Sequence, residues 1–286
     1  MTEPVTEKAP VDYAANLIIS VYNDTNALRA ILYALARQSR QDFEITVSED
    51  GRSEDMAKFI AEVTPAFPNL VHLTQNDDGF RKNIALNRAI VHSRADCLIF
   101  IDGDCVPHHD FIRQHLAHLA HVAPGVTCAG RRVELGSRFS RRLTEHPEYI
   151  ERLENPWWYL LLGPSLHING VKNYEVGLPS RWLHRGGKTT RIVGCNFSCT
   201  KADILAIDGF NEDYRAPGIG EDSDIEWRLR ANGIDIYNVK FLAPVYHLYH
   251  PRRWQSSDTN EAIFESTRAA KRIFCEHGIA EHAGDR

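Results

Sequence analysis

Residues 96–111, DCLIFIDGDCVPHHDF, contain the turn on which the interpretation of this chain depends. Four consecutive apolar residues, 98–101, lead directly into Asp102-Gly103-Asp104, so a buried strand ends in two carboxylates. Two hard oxygen donors on a rigid strand end suit Mg²⁺ or Mn²⁺, and such an ion in turn binds a diphosphate. Asp and Gly are also preferred in tight turns, and an Asp can cap a helix, so the triplet alone leaves these alternatives open.

The region around this stretch alternates short β-rich runs with longer helical patterns. This alternation predicts βαβ units with a parallel sheet, and hence an α/β protein whose sheet is covered by helices. The predicted strands are 17–22, 43–48, 70–73 and 97–101, and the predicted helices between them are 25–38, 53–63 and 83–93.

Acidic or amide side chains follow three of these strands. The strand ends carry Asn23-Asp24, Glu49-Asp50 and Asp102 to Asp104. In open sheets of this class, ligands bind beyond the carboxyl ends of the strands. The sequence therefore predicts that all three ends lie along a single ligand-binding rim.

The second half of the chain is less regular. An insertion is predicted at 138–190, and it contains ENPWWYLLLGPSLHING (154–170) with the adjacent Trp157 and Trp158. Two interpretations stay open: a helix packed on the core, or an exposed element that serves as an acceptor-side lid or contacts a membrane interface. Regular structure is predicted to resume with a strand and short helix at 191–210, a helix that Gly233 ends, a strand in 234–253, and one amphipathic helix over 256–278.

Two histidines three residues apart, His247 and His250, follow a predicted strand. Imidazole added to carboxylate moves a site's preference from Mg²⁺ toward Mn²⁺. Either histidine is able to complete a site with Asp104, and His250 is favoured. The predicted cofactor is Mn²⁺, with Mg²⁺ as the alternative.

A third element, Gly220-Glu221-Asp222-Ser223-Asp224, places three carboxylates within four residues at the start of a predicted helix. The helix dipole favours acids at this end, and one or two acids would satisfy it. Three together, after the flexible stretch APGIG, indicate a site in which one carboxylate acts as a base.

The composition bounds the class of protein. The 286 residues carry a net charge of −5, and the basic residues are scattered, so nucleic acid is not an expected partner. The six cysteines form no CxxC pair and are typical of reduced thiols in a cytoplasm. The acidic, polar first residues lack the order of a signal peptide, and no apolar run approaches about 20 residues. A cytoplasmic protein, soluble or peripheral at the inner membrane, is expected.

The order and spacing of the motifs resemble those of inverting glycosyltransferases of family 2 with the GT-A fold. This resemblance implies a Rossmann-like mixed sheet flanked by helices, with an inserted acceptor-side segment. The carboxyl half is most similar to the β-1,4-galactosyltransferases and to bacterial chondroitin polymerase modules. The resemblance implies a GT-A domain at 15–253, after a disordered leader at 1–14 and before a C-terminal helix and tail at 254–286. The motifs that carry it are LIISVYND, SEDGRSED, GFRKNIALNRA, IDGD, GFNEDY, GEDSDIEWRLR and HLYH.

The resemblance also implies roles for individual residues. Around the nucleotide, Asp50 would accept from the uracil N3–H, Arg81 would approach the diphosphate or the uracil pocket, and Gly103 would shape the turn between the two aspartates. Asp102 would bind the ribose or an outer-shell water. The remaining residues around the uridine would be Val21 and Tyr22, which wall the base, with Asn23 and Asp24 beside them.

At the reacting end, Asp104 and His250 would ligate Mn²⁺. His247 stands where the galactosyltransferase relatives have a further methionine ligand, so two imidazoles are expected to coordinate. Asp222 would be the catalytic base and Glu221 would hold hydroxyls of the donor sugar. On the acceptor side, the resemblance offers no template for the insertion, and Trp157 and Trp158 are predicted to contact substrate.

The expected activity is transfer of a single sugar from a UDP-sugar to a hydroxyl of a glycan or lipid-linked acceptor in surface polysaccharide synthesis. UDP-Gal or UDP-GalNAc is favoured, with UDP-Glc, UDP-GlcNAc and UDP-GlcA open. The chain has one module, and its Arg-Arg-Trp at 252–254 lacks the Gln of processive synthases. Contact with the inner face of the membrane or with other polysaccharide-assembly enzymes is expected. The alternatives are a catalytically silent nucleotide-sugar-binding partner subunit and a sugar-1-phosphate nucleotidyltransferase, although the latter's Gly-rich loop is absent.

Overall fold

The apolar runs of the first half form the central strands of the protein. The computed structural model describes residues 12–121, 125–178, 184, 191–217, 221–251, 258–282 and 284. Most of the predicted leader and the segment 252–257, with its Arg-Arg-Trp, lie outside these residues. The strands are β1 (Ala15–Val21), β2 (Phe43–Glu49), β3 (Leu70–Leu73), β4 (Cys97–Asp102), β5 (Cys105–Pro107), β6 (Val126–Ala129), β7 (Arg132–Glu134), β8 (Phe197–Thr200), β9 (Asp235–Asn238) and β10 (Val245–His247).

Helices connect and cover these strands. The predicted helices of the first half are all present, and Asp24 and Ser53 cap two of them by accepting from backbone N–H groups. The helices are α1 (Thr25–Ala36), α2 (Glu54–Val63), α3 (Lys82–His92), α4 (Phe111–His121), α5 (Ser137–Glu145), α6 (Ile150–Leu153), α7 (Pro156–Ile168), α8 (Lys201–Leu205), α9 (Glu221–Ala231) and α10 (Asp258–Ala269), with short 3₁₀ turns at Thr64–Ala66, Pro147–Tyr149, Tyr174–Gly177 and Ile279–His282.

The main sheet has the strand order β3-β2-β1-β4-β8-β6-β9. The pairs among β1 to β4 are parallel, whereas β8 runs antiparallel to both β4 and β6. This confirms the predicted α/β class with a mixed sheet flanked by helices. Side chains alternate along β1, so that Leu17 and Ile19 join one hydrophobic core and Ile18 the other, on opposite faces of the sheet.

A second, three-stranded sheet has the order β5-β10-β7. Strand β5 follows the Asp102 to Asp104 turn at once, and β10 pairs with it in antiparallel register, with His247 opposite Cys105. The short strands of this sheet were not predicted, because three-residue runs give too little periodicity to recognise. Their pairing brings the histidine segment back to the end of β4.

The described part of the insertion consists mainly of the helices α5, α6 and α7. Helix α7 packs on the core through the buried Leu166, and it also exposes several apolar side chains, so it has features of both interpretations. None of the described helices combines the length and the apolar character that crossing a membrane requires.

The prediction of one helix over 256–278 was wrong. Helix α10 ends at Ala269, and Lys271 takes a left-handed φ of 51° that closes the helix. The chain then folds back so that the Ile279 N–H bonds the Asp208 carbonyl at 3.1 Å. A Cβ on Gly278 would lie 2.2 Å from that carbonyl oxygen, so the close approach requires glycine. The amphipathic pattern continued through this turn because the residues beyond it are also partly buried.

Candidate active site

The ends of β1, β2 and β4 lie side by side at one rim of the main sheet, as the sequence predicts. In the parallel register Val21 lies opposite Glu49 and Ser20 lies opposite Asp102. The side chains that follow these strands therefore share one edge, and this edge is where open α/β sheets bind ligands.

The turn between the two aspartates depends on Gly103. Its N–H donates to the Ser20 carbonyl at 2.6 Å, which packs the turn against β1. A Cβ at this position would lie 2.8 Å from the same carbonyl oxygen and 3.0 Å from Cγ1 of Val21. Only glycine fits, and the turn carries Asp104 away from Asp102 into the second sheet.

Asp104, His247 and His250 converge as the sequence predicted. Oδ2 of Asp104 lies 3.2 Å from Nε2 of His250 and 3.5 Å from Nε2 of His247. The three ligand atoms lie within 4.8 Å of one another. The Leu248 N–H also donates to the Asp104 carbonyl at 2.8 Å, which fixes the histidine segment against the turn.

The protonation states at this cluster suit metal binding. Burial raises the pKa of Asp104, but hydrogen bonding to His250 and the charges of both histidines outweigh it and leave the pKa below its usual value. Burial lowers the pKa of His247, against the pull of Asp104. A carboxylate anion beside a neutral imidazole is the form that ligates a cation. One carboxylate and two imidazoles fit Mn²⁺ better than Mg²⁺.

A second acidic cluster lies at the start of α9, where Glu221 and Asp222 face Lys82 on the first turn of α3. Nζ of Lys82 lies 2.7 Å from Oδ1 of Asp102 and 3.1 Å from Oε1 of Glu221. Lys82 therefore links the carboxylate of Asp102, at the end of β4, to that of Glu221, at the start of α9. With Gly194, these residues line the floor of one small pocket.

Lys82 was not among the predicted site residues. One signal was available: a cation in the first turn of a helix is disfavoured by the helix dipole, so a lysine there calls for a nearby anion. The sequence did not identify which anion, because Glu221 is 139 residues away.

Burial dominates the protonation of the second cluster. It raises the pKa of Glu221 to about 7, and Lys82 only partly offsets it. Burial also raises the pKa of Asp222. Two groups lower that pKa and only partly offset burial: the Lys82 ammonium and the Gly194 N–H, which donates to Oδ2 of Asp222 at 3.1 Å. The pKa of Lys82 itself is pulled down by burial but lies well above its usual value because Asp102 and Glu221 outweigh that effect. Glu221 is therefore able to accept a proton near neutral pH, and Asp222 binds a proton more readily than an ordinary aspartate.

The third acid of the motif, Asp224, has a structural role. Its Oδ2 accepts from Nε of Arg228 at 2.7 Å, and both side chains are almost completely buried. The Tyr214 hydroxyl donates to its other oxygen at 3.3 Å. Of the three carboxylates, only Glu221 and Asp222 therefore line the pocket.

At the predicted nucleotide end, Asp50 is fixed by two donors. Its carboxylate accepts from Nε2 of Gln75 at 2.7 Å and from the Arg81 N–H at 2.9 Å, and burial raises its pKa. Gln75 was not predicted. The Arg81 guanidinium pairs with Asp78. Both contacts order the loop that leads into α3 beside the rim.

The other predicted nucleotide contacts lie at the end of β1. Val21 is buried under the Gly103 turn, and Tyr22 is exposed with its hydroxyl donating to Asp77 at 3.1 Å. Asn23 is exposed and has a left-handed φ of 54°. Asp24 is exposed as well, and it caps α1 by accepting from the Ala27 N–H at 2.9 Å. Their predicted contacts with a nucleotide stay predictions.

Trp157 and Trp158 do not join this cluster by any hydrogen bond or ion pair among the described residues. They lie at the start of α7, where Trp158 stacks with the guanidinium of Arg152 at 5.6 Å. Their predicted contact with substrate stays a prediction.

The mixed sheet, the Asp102 to Asp104 turn after β4 and the acidic start of α9 are the features of the GT-A class of nucleotide-sugar transferases. Solved structures with this fold include GalNAc-T7 with UDP, GalNAc and Mn²⁺, at TM-score 0.61 and 11% identity over 89% of this chain and 48% of that one. Another is TarS of S. aureus, at TM-score 0.60 and 14% identity over 93% of this chain and 41% of that one. A third is the mannosyltransferase PcManGT of Pyrobaculum calidifontis with GDP-Man and Mn²⁺. Its TM-score is 0.54, and it is 16% identical over 93% of this chain and 66% of that one.

The chain belongs to glycosyl transferase family 2, whose family model matches residues 16–180. Residues 180–251 match a second model, described as the N-terminal domain of galactosyltransferase, which confirms the resemblance of the carboxyl half. Two curated relatives are the glycosyltransferase AglE of Haloferax volcanii, 27% identical over 42% of this chain, and the uncharacterized glycosyltransferase YfnE of Bacillus subtilis, 25% identical over 49%. The matched segments cover 39% and 36% of those relatives.

Proposed function

We propose that the protein is a metal-dependent inverting glycosyltransferase that moves one sugar from a UDP-sugar to an acceptor hydroxyl. The observation that supports this best is the arrangement of two acidic clusters at one rim. Asp104 with His247 and His250 forms a cation site, and Glu221 with Asp222 forms a separate base site joined to it through Lys82 and Asp102.

The reaction needs a base on the face of the anomeric carbon opposite the leaving diphosphate. The acceptor oxygen forms its bond to that carbon as the bond to UDP breaks, and Asp222 takes the hydroxyl proton. Inversion follows from the single displacement. A metal held by Asp104, His247 and His250 would offset the charge that builds on the departing diphosphate.

The chain's own contacts support these roles. Gly194 fixes one oxygen of Asp222 by a hydrogen bond, which orients the carboxylate. Burial keeps its pKa above the usual value and so strengthens it as a base. Among the described residues, Oε2 of Glu221 has no hydrogen-bond partner although it is buried. A donor-sugar hydroxyl is the group we expect to supply that partner, because buried polar atoms rarely stay unpaired.

The proposed donor is UDP-Gal or UDP-GalNAc. The match of the carboxyl half to a galactosyltransferase domain supports it, and so does the likeness to a structure that holds UDP and GalNAc. The fold alone does not choose, since another neighbour holds GDP-Man. UDP-Glc, UDP-GlcNAc and UDP-GlcA therefore belong in any donor panel.

The proposed acceptor is a glycan or a lipid-linked sugar in surface polysaccharide synthesis, on the cytoplasmic side of the membrane. The free state of the described cysteines is consistent with a reducing compartment. The exposed apolar residues of α7 support an enzyme that acts close to a lipid surface.

The test is UDP release from a panel of UDP-sugars in the presence of Mn²⁺, Mg²⁺ or a chelator, with donor binding measured in parallel. Metal-dependent release from one donor is expected, and Asp222→Asn should bind donor but not turn it over. If UDP binds only with metal and no donor is consumed with any acceptor tried, the result would favour a silent binding subunit. Pyrophosphate release from UTP and a sugar 1-phosphate would favour a nucleotidyltransferase.

A further inference from the structure

Helix α7 presents an apolar stripe to solvent. Trp157, Leu161 and Ile168 lie four and seven residues apart, which places them on one side of the helix. Their exposed fractions are 75%, 78% and 83%. Trp158, at 38%, lies beside the stripe. Side chains this exposed gain nothing from the core, so the stripe is free to contact a partner.

The stripe differs from the other exposed apolar side chains of the protein. The described residues include nine large hydrophobic side chains that are exposed, and four of them belong to this one helix of 13 residues. The others, such as Leu205 and Phe274, lie on separate elements. Single exposed apolar residues are normal on protein surfaces, whereas a continuous patch indicates an interface.

Arginines border the stripe. Arg152 lies over the ring of Trp158 at 5.6 Å and over Tyr149 at 5.8 Å, and Arg142 lies over Tyr149 at 4.9 Å. Arg138 and Arg141 extend this basic edge along α5, and all four side chains belong to exposed residues. Within the described ranges, no ion pair involves any of these four arginines.

The neighbouring acids are turned mainly toward the body of the protein. Glu151 and Glu154 pair with Arg37, the residue that follows α1, at 3.4 and 3.5 Å. Glu145 and Glu148 remain exposed on the same segment, so attraction to anionic groups should be moderate and the apolar stripe should supply most of the binding energy.

We propose that α7 lies flat on an anionic membrane surface, with Trp157, Leu161 and Ile168 inserted at the level of the lipid headgroups. A helix of 13 residues is about 20 Å long, too short for the roughly 30 Å hydrocarbon core, so it is suited to lie on the membrane and not to span it. Tryptophan and arginine are residues that favour the headgroup region. The arginine edge selects anionic lipid.

This orientation would bring the metal-binding turn close to the lipid surface. Tyr246, the residue before His247, donates its hydroxyl to the Leu153 carbonyl of α6 at 3.2 Å. Helices α6 and α7 adjoin in the chain and pack together, so docking of α7 also positions β10. Docking of α7 on a membrane does not depend on the proposed function. The advantage that this position gives for reaching a lipid-linked acceptor does depend on it.

The experiment is co-sedimentation with vesicles of equal parts phosphatidylcholine and phosphatidylglycerol, compared with pure phosphatidylcholine. The wild-type chain should sediment with the anionic vesicles. The triple variant Trp157→Ser, Leu161→Ser, Ile168→Ser should lose affinity by more than about tenfold, because it removes most of the inserted apolar area. Arg142→Gln with Arg152→Gln should weaken binding about fivefold per arginine, on anionic vesicles alone.

The matched control is Leu205→Ser with Phe274→Ser, which removes exposed apolar side chains elsewhere and should leave sedimentation unchanged. Circular dichroism of each variant establishes that it folds. No sedimentation of the wild type, or an equal loss in the control, would overturn the proposal. A dimer in light scattering that the triple variant splits would overturn it too, in favour of self-association. None of these readouts uses sugar transfer, so failure here is distinct from failure of the proposed function.

Discussion

The two acidic clusters at the rim differ in the groups that face their carboxylates. Asp104 faces two imidazoles, His247 and His250, whose ring nitrogens have a lone pair to offer a metal. Glu221 faces the ammonium of Lys82, which has no lone pair to offer a metal and stays charged. The first cluster is therefore built to receive a cation, whereas the second already contains one.

The same difference shows in the direction of the pKa shifts. Burial raises the pKa of the carboxylates in both clusters. At Asp104 the histidines outweigh burial and keep the group ionised. At Glu221 and Asp222 burial outweighs Lys82, so these carboxylates bind protons more readily than usual. One cluster favours a metal ligand, and the other favours a base.

The largest expected effect is that of Asp104→Asn. The amide loses the charge that anchors the cation, and the loss of metal assistance should lower metal-dependent UDP release by more than about a thousandfold. Calorimetric titration with Mn²⁺ should show binding abolished. Asp110→Asn, which changes an acid just after β5 that pairs with Arg113, is the control and should keep both properties. Normal Mn²⁺ affinity in Asp104→Asn would show that Asp104 does not hold the cation, and would contradict the assignment of metal binding to the first cluster.

Asp222→Asn should have the next largest effect. Removing the base is expected to lower transfer to an acceptor by roughly a hundredfold or more, because general base catalysis contributes on that scale. Binding of UDP and Mn²⁺ should be unchanged, since the metal cluster is intact. The neighbouring exposed Ser223→Ala serves as the control. A variant that retained full turnover would remove Asp222 from the base role.

Lys82→Met tests whether the second cluster needs its own cation. Lys82 lowers the pKa of both Glu221 and Asp222, so its removal should raise these pKa values further. A larger fraction of the base is then protonated at neutral pH. The rate should fall about tenfold at pH 7 and recover as the pH rises.

The measurement for Lys82 is the pH profile of UDP release. In Lys82→Met the acid limb of the profile should lie at higher pH than in the wild type. Lys82→Arg keeps the charge and should restore most of the wild-type profile. An equal loss at every pH in Lys82→Met would instead show that the lysine acts only by holding the fold.

The contrast between the clusters also shows what the sequence was able to predict. Asp102-Gly103-Asp104 and the histidine pair were recognisable because each is a short motif at the end of an apolar run. Lys82 was missed because one of its partners, Glu221, is 139 residues away, and only the fold brings the two side chains together. The sequence also did not separate Asp224 from its two neighbours, since only the fold shows that Arg228 pairs with it.

Errors at the ends of elements have a similar origin. The amphipathic pattern of the tail continued beyond Ala269, but contacts with the distant Asp208 turn reverse the chain there. Helix periodicity reports which side chains are buried and not what they pack against. The central strands, in contrast, are buried on both faces and were identified from their short apolar, β-rich runs.

His247→Met should have the smallest effect of these variants. Thioether sulfur is a softer and weaker ligand than imidazole for Mn²⁺, so Mn²⁺ affinity should fall by about tenfold or less while His250 and Asp104 still hold the ion. Activity at saturating Mn²⁺ should return to nearly the wild-type rate, which a Mn²⁺ titration of UDP release will measure. His250→Ala is the matched comparison and should not be rescued by excess metal. If His247→Met leaves Mn²⁺ affinity unchanged, His247 lies next to the cation without ligating it, and the first cluster holds its metal with Asp104 and His250 alone.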